Sequence, residues 1–166
     1  RLLWVSKEEV IEKRIPIAQK VTSTYNVHLV LKGARTVIAE PGGTVHINPT
    51  GNPGMATGGV GDVLTGIIAG LVSQGVAPVL AAATGVYLHG LAGDLACRAL
   101  GPEAMIASDL LEKLPEAIGT AVRTALATDG PHFILVKVTT EEAEVPRIAH
   151  TPAAIRDRFR ESVGRA

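Results

Sequence analysis

The order of apolar and polar residues divides the chain into a helix with three strands, a long helical block and one late strand. Ser6 and Glu9 have the spacing of a capping box, which opens a helix predicted to run to about Tyr25, where Pro16 favours a kink. Three short apolar segments then predict buried strands at residues 27–31, 36–39 and 44–47.

Helical periodicity dominates the next part of the chain. It predicts helices from Asp62 to about Gln74, from Pro78 to about Leu100 and from Ser108 to about Leu126. Pro115 is expected to divide the third of these helices, and Gly75 and Gly101 are typical C-terminal caps. A strand is predicted over residues 133–138 and an amphipathic helix over residues 152–163. This order favours an α/β fold in which helices flank a sheet.

Composition limits the classes of function. The chain has 166 residues, the size of one domain, and it is 46% hydrophobic but only 3% aromatic, so aliphatic side chains must build the core. Lys plus Arg and Asp plus Glu number 16 each, so a nucleic-acid or membrane-surface partner is not expected. The apolar run at residues 76–91 contains Pro78, Thr84 and His89, which favours a buried helix over a membrane span.

Cysteine, histidine and targeting signals add little chemistry. Cys97 lies in an Ala/Leu-rich helical segment, where a buried inert thiol is expected. The five histidines lack the spacing of metal ligands, so no metal site is predicted. Since the N-terminus shows no signal-peptide pattern, the expected compartment is the cytoplasm.

A glycine-dense loop carries the strongest functional signal. Within residues 51–66 it contains Gly51, Gly54, Gly58, Gly59, Gly61 and Gly66, and it leads into the helix at Asp62. A helix that begins there directs its unpaired N–H groups at the loop, which predicts a site for an anion such as phosphate. A carboxylate repels a statically bound phosphate, so Asp62 is interpreted as a base beside developing charge. The alternative is that Asp62 only caps the helix, but one cap does not require so many glycines.

Four segments resemble the ADP/ATP-dependent NAD(P)H-hydrate dehydratases, a family within the ribokinase-like superfamily. They are residues 48–66, 31–36, 85–94 and 106–110. The resemblance covers about residues 1–138 and implies a ribokinase-like three-layer α/β/α fold that lacks its N-terminal part. Residues 139–166 form a tail that does not match the family. The Met-Ala-Thr sequence at residues 55–57 is similar to the bacterial, ADP-using branch.

The resemblance implies ADP-dependent, or ATP-dependent, dehydration of (S)-NADHX or NADPHX to NADH or NADPH, with Mg²⁺ expected alongside the nucleotide. It assigns Asp62 as the catalytic base and substrate contact. It assigns the anion hole to Gly59, Val60 and Gly61, and the nucleotide site to Lys32, Gly33, Ala34, Arg35, Thr36 and Gly61. Family loops usually carry Thr or Ser where this chain has Val60. Because the backbone donors remain, we expect altered rather than abolished binding.

Two alternatives stay open at this stage. One is a small-molecule kinase of the same superfamily, in which Asp62 deprotonates an acceptor hydroxyl. The other is a non-catalytic fragment that serves only in assembly or weak nucleotide binding. The chain has no initiator Met, and Arg1 falls within an element, so the resemblance implies the C-terminal part of a domain. We expect the isolated chain to lack dehydratase activity and to be oligomeric or aggregation-prone, and family members to form homo-oligomers.

Overall fold

A computed structural model describes residues 6–128 as two N-terminal helices, a three-stranded sheet and three longer helices. The strand expected at residues 133–138, the helix expected at residues 152–163 and the proposed boundary after residue 138 lie outside the described residues.

The first predicted helix is interrupted. α1 spans Lys7–Glu12 and α2 spans Arg14–Tyr25, with Lys13 between them at φ −119° and ψ 44°. Ser6 caps α1 as predicted, since its Oγ accepts a hydrogen bond from the Glu9 N–H at 3.1 Å. Pro16 explains the break, because its ring would collide with the Glu12 carbonyl in a continuous helix and it has no N–H to donate. The prediction of one kinked helix is therefore wrong.

The three predicted strands form one antiparallel sheet in the order β1-β2-β3. Their bounds are Leu29–Leu31, Val37–Ala39 and Val45–Ile47. The register pairs Val30 with Ile38 and Ile38 with His46. The β2–β3 connection is a tight hairpin, closed by a hydrogen bond from the Gly43 N–H to the Glu40 carbonyl at 3.0 Å.

The central strand β2 is buried on both faces, which gives a helix–sheet–helix layering. On one face Val37 and Ala39 pack against Ala18 of α2. On the other face Ile38 packs with Leu64, Ala82 and Val86, which come from helices that follow the glycine loop. Successive residues of β2 point to opposite faces, so this three-residue strand contributes to both cores.

The remaining helices lie close to their predicted bounds. α3 spans Val60–Ser73, α4 spans Pro78–Leu100 and α5 spans Ala107–Ala127, and a short 3₁₀ turn at Pro53–Met55 precedes them. Gly101 is the C-cap of α4, as predicted, and Gly75 follows the C-cap Gln74 of α3. The N-cap of α5 is Ile106 rather than Ser108.

Pro115 does not divide α5, so that prediction is wrong. The helix continues through it from Ala107 to Ala127. Proline removes the bond that would reach the Leu111 carbonyl. Leu111 is 53% exposed, so water can reach this part of the helix and satisfy the freed carbonyl.

α4 is the central helix of the described residues. Its buried positions are mostly small, and Ala81, Ala82, Gly85 and Gly90 are among them. Its length and hydropathy would suffice to cross a membrane, but 56% of its most apolar window is buried inside the protein. It therefore has the burial of a core helix.

Candidate functional site

A cavity of about 650 Å³ lies where the β1–β2 connection, the glycine loop, the start of α3 and the middle of α4 meet. Residues 32–36 line it from the β1–β2 connection, and residues 48–53 and 55–57 line it from the glycine loop. The helical contributions are Val60, Gly61, Leu64, Val86, His89 and Gly90. Its volume is in the range of small-molecule and cofactor pockets.

Lys32 brings a positive charge to the start of α3. Its ammonium lies so close to Gly61 that a Cβ atom at position 61 would overlap Lys32 Nζ. Glycine at position 61 therefore permits this approach. Among the residues that the structure describes, Lys32 takes part in no salt bridge.

The first turn of α3 adds backbone donors beside this ammonium. Gly59 is the N-cap at φ 82°, a conformation that favours glycine, and no side chain caps the helix. The Asp62 and Val63 N–H groups both donate to the Gly59 carbonyl, at 3.0 and 3.1 Å. The amides of Val60 and Gly61 precede these donors and are left to an external acceptor. The helix dipole is positive at the same end, so the turn and Lys32 together favour an anion.

Hydrogen bonds from α4 hold the glycine loop in place. The Thr50 hydroxyl donates to the Tyr87 carbonyl at 3.0 Å. The Asp94 carboxylate accepts from the Gly51 N–H and from Asn52 Nδ2, also at 3.0 Å. These contacts give the Asp94 carboxylate a structural role, since it joins the loop to α4.

His89 connects α4 to the first turn of α3. It is only 6% exposed, and its Nε2 lies 2.9 Å from the Val60 carbonyl. Because a carbonyl only accepts, Nε2 carries the proton. Burial lowers the pKa of His89 and the charge of Lys32 lowers it further, while the bond to Val60 acts in the opposite direction. His89 is therefore a buried residue with a hydrogen-bonded ring nitrogen, and it is also part of the cavity wall.

Asp62 lies outside this cavity. It is exposed at the third position of α3 and lines a recess of about 500 Å³ with Val63, Gly66, Ile67, Leu111 and Leu114. The expected site residues therefore divide into two groups. The structure brings Lys32, Gly33, Ala34, Arg35, Thr36, Val60 and Gly61 to the cavity, with Gly59 next to them at the helix cap. Asp62 faces the second space, one residue further along the same turn.

The sequence analysis did not identify Arg14, which contacts the segment expected to bind the nucleotide. Arg14 bonds to carbonyls of residues 31, 32 and 34. It lies about twenty residues away in the chain, at the start of α2, and no local motif marks it.

The described residues contain no group of three His, Cys, Asp or Glu side chains that would hold a metal ion. They therefore do not fit a resident metal held by protein ligands alone. Magnesium usually keeps several waters and is bound through substrate phosphates.

Comparison with known proteins identifies related chains. A family model described as NAD(P)H-hydrate dehydratase matches residues 1–116. A bifunctional NAD(P)H-hydrate repair enzyme from Moorella thermoacetica is 54% identical over 78% of this chain and 26% of its own length. An ADP-dependent (S)-NAD(P)H-hydrate dehydratase from Bacillus subtilis is 37% identical over 69% of this chain and 42% of its own length.

A solved structure shares the fold. The ADP/ATP-dependent NAD(P)H-hydrate dehydratase from Bacillus subtilis, co-crystallised with ATP/Mg²⁺, superposes with a TM-score of 0.66 at 36% identity. The match covers 68% of this chain and 41% of that chain. The expected α/β fold is confirmed, and the chain spans less than half the length of these relatives.

Proposed function

Because the chain belongs to the NAD(P)H-hydrate dehydratase family, we propose that it takes part in the ADP-dependent dehydration of (S)-NADHX and NADPHX to NADH and NADPH. The relatives from Bacillus subtilis and Neisseria meningitidis that carry the name ADP-dependent (S)-NAD(P)H-hydrate dehydratase support this substrate pair. The same match favours dehydration over the small-molecule kinase considered from the sequence.

The observation that carries the proposal is the position of the Lys32 ammonium at the N-terminus of α3. Two positive features that face each other repel unless an anion lies between them. Arg35 adds a second cation to the cavity lining, and no Asp or Glu of the described residues lines that cavity. Nucleotide phosphates fit this arrangement, since they accept from Lys32 and from the amides of Val60 and Gly61.

We place the hydrated nicotinamide ring in the recess beside Asp62. In this arrangement the nucleotide phosphates and the hydrate meet at the N-terminus of α3, since Gly61 lines the cavity and the next residue, Asp62, lines the recess. The Asp62 carboxylate accepts the proton of the ring hydroxyl as that oxygen takes a phosphoryl group from the nucleotide. Amides at positions 59–61 stabilise charge on the transferred group.

Dehydration then completes by elimination. The phosphorylated oxygen leaves as phosphate, the departing phosphate accepts a proton from the neighbouring ring carbon, and the ring double bond is restored. Phosphorylation aids this step because phosphate is a much better leaving group than hydroxide. Magnesium, when bound to the nucleotide phosphates, would neutralise part of their charge, and the ATP/Mg²⁺ complex of the Bacillus subtilis relative supports its presence.

Two substitutions separate binding from chemistry. Lys32→Met should weaken ADP binding about tenfold or more, because it removes a charged donor to phosphate. Asp62→Asn should leave ADP affinity within about twofold and lower turnover of hydrated NADH about 100-fold, the usual scale for a general base. ADP binding is measured on the chain by calorimetry. Turnover is measured in a chimera in which residues 6–128 replace the matching segment of the Bacillus subtilis dehydratase.

Lys20→Met is the matched control for the lost charge, since Lys20 is exposed on α2 outside the cavity. If Lys32→Met binds ADP as well as Lys20→Met does, the nucleotide phosphates do not lie at this cation. If Asp62→Asn keeps full turnover, Asp62 serves only the helix terminus.

A further inference from the structure

Arg14 bonds to the segment that carries Lys32. From the first position of α2 its guanidinium donates to the Leu31 carbonyl at 2.8 Å and to the Lys32 carbonyl at 3.3 Å. It also donates to the Ala34 carbonyl. Within the described residues Arg14 forms no salt bridge, so these carbonyls are its partners. A planar guanidinium can bond to several carbonyls at once because its donors are held in a fixed fork.

The segment that Arg14 contacts has an unfavourable backbone. Gly33 lies at φ 141°, and Arg35 lies at φ 53°, an uncommon value for a residue with a side chain. A Cβ atom at Gly33 would come within 3.1 Å of Arg14 Nη2, so the chain passes close to the guanidinium. Such backbone conformations persist where surrounding contacts hold them. The three Arg14 bonds are contacts of this kind.

We propose that Arg14 is a positioning residue for the nucleotide site, which fixes the main chain of residues 31–35 so that the Lys32 ammonium reaches the first turn of α3. The Lys32 carbonyl accepts a hydrogen bond from Arg14, while the Lys32 side chain extends to Gly61. Arg14 is absent from the lining of the cavity, so it acts on the anion site through Lys32. The functional meaning of this role rests on the proposed nucleotide binding.

The test compares Arg14→Met and Arg14→Lys with Lys13→Met. Lys13 is the adjacent exposed cation, and its substitution removes the same charge without touching the β1–β2 connection. Hydrogen exchange of residues 31–36, followed by mass spectrometry on the full chain, should be faster in Arg14→Met and unchanged in Lys13→Met. Arg14→Lys should be intermediate, because an ammonium cannot bond to all three carbonyls in the same geometry. If Arg14→Met fails to fold, Arg14→Lys replaces it in the comparison with Lys13→Met.

A double-mutant cycle on ADP affinity distinguishes positioning from general stability. Arg14→Met should weaken ADP binding about tenfold in the parent chain and by less than about twofold in the Lys32→Met background, because both changes remove the same contact. Equal effects in the two backgrounds, or hydrogen exchange no faster than in Lys13→Met, would overturn the proposal. If the parent chain does not bind ADP, the proposed function fails for this chain, and the exchange data alone decide whether Arg14 holds the segment.

Discussion

His89 joins the anion site to the central helix through one buried hydrogen bond. Its Nε2–H donates to the Val60 carbonyl, and Val60 is the residue whose amide faces the cavity from the start of α3. Protonating the ring would place a buried positive charge near Lys32, which is why burial and Lys32 both lower the pKa of His89. The neutral ring can therefore orient the turn without adding a charge to the site.

This lowered pKa predicts a pH dependence of stability. Above pH 6.5, the ordinary pKa of histidine, the ring is neutral in both folded and unfolded chains. As the pH falls below 6.5 the unfolded chain binds a proton before the folded chain does, so the free energy of unfolding decreases until the pH passes the lower folded pKa. Urea denaturation between pH 7.5 and pH 5 measures this loss.

Two variants test whether His89 causes this pH dependence of the free energy of unfolding. His89→Gln keeps an N–H donor but cannot titrate, so its free energy of unfolding should fall less steeply over the same range. His46→Gln is the control, because His46 is exposed on β3. Equal pH profiles for the parent and His89→Gln would show that His89 contributes no pH dependence.

At the scale of elements, α4 is the support for the glycine loop. Thr50 and Met55 of the loop lie against two glycines of this helix, Gly90 and Gly93. A Cβ atom at Gly90 would overlap Thr50 and come within 2.8 Å of its backbone carbonyl carbon, whereas the atoms nearest to one at Gly93 belong to the side chain of Met55. The two glycines thus permit different contacts, one with backbone and one with a flexible side chain.

Alanine at these two positions should have different effects on stability. Both substitutions gain about 1 kcal/mol of helix propensity. Met55 can turn away from an added methyl group, so Gly93→Ala should change the free energy of unfolding by less than about 1 kcal/mol. Gly90→Ala must move the Thr50 backbone, so it should destabilise by about 1–3 kcal/mol and weaken ADP binding. Denaturation and calorimetry measure both effects, and similar values for the two variants would contradict the assignment of the tight contact to Gly90.

Features that depend on residues close together in the sequence were predicted correctly, whereas features that depend on tertiary surroundings were not. The strands, α4 and the Ser6 cap were predictable because side-chain periodicity and a local hydrogen bond determine them. The helix break at Lys13 and the continuity of α5 through Pro115 were not, since each depends on how a proline fits its surroundings. Pro16 lies where its ring would strike the preceding turn, whereas Pro115 frees a carbonyl in an exposed part of α5.

In the candidate site, too, the residues were predictable from local motifs but their arrangement in the fold was not. Lys32 and the loop glycines were identified by local motifs, but their meeting at Gly61 depends on how β1 and α3 are placed in the fold. Arg14 was missed because its partners are 17 to 20 residues away along the chain. The division between the cavity and the Asp62 recess depends on the direction of each residue around one helical turn, which a motif does not specify.

At the scale of the whole molecule, α5 presents apolar side chains that the described residues leave exposed. Leu110 and Ala117 are buried in the core, but Leu111 is 53% exposed and Ile118 is 44% exposed. Leu111 and Leu114 also line the recess beside Asp62. Residues 111 and 118 are seven apart, so they lie on one face of the helix. Contiguous exposed apolar surface of this kind is typical of regions that contact another protein surface.

We therefore expect the isolated 166-residue chain to self-associate through this face of α5. Light scattering coupled to size-exclusion chromatography should give a mass above the monomer value of 17.2 kDa. Replacing both Leu111 and Ile118 with Gln should shift the chain toward that value, because it removes apolar area that association would bury. Ile11→Gln is the matched control, since Ile11 is 63% exposed on α1, outside α5. A parent chain that stays monomeric at high concentration, or equal association in all variants, would show that this face does not drive assembly.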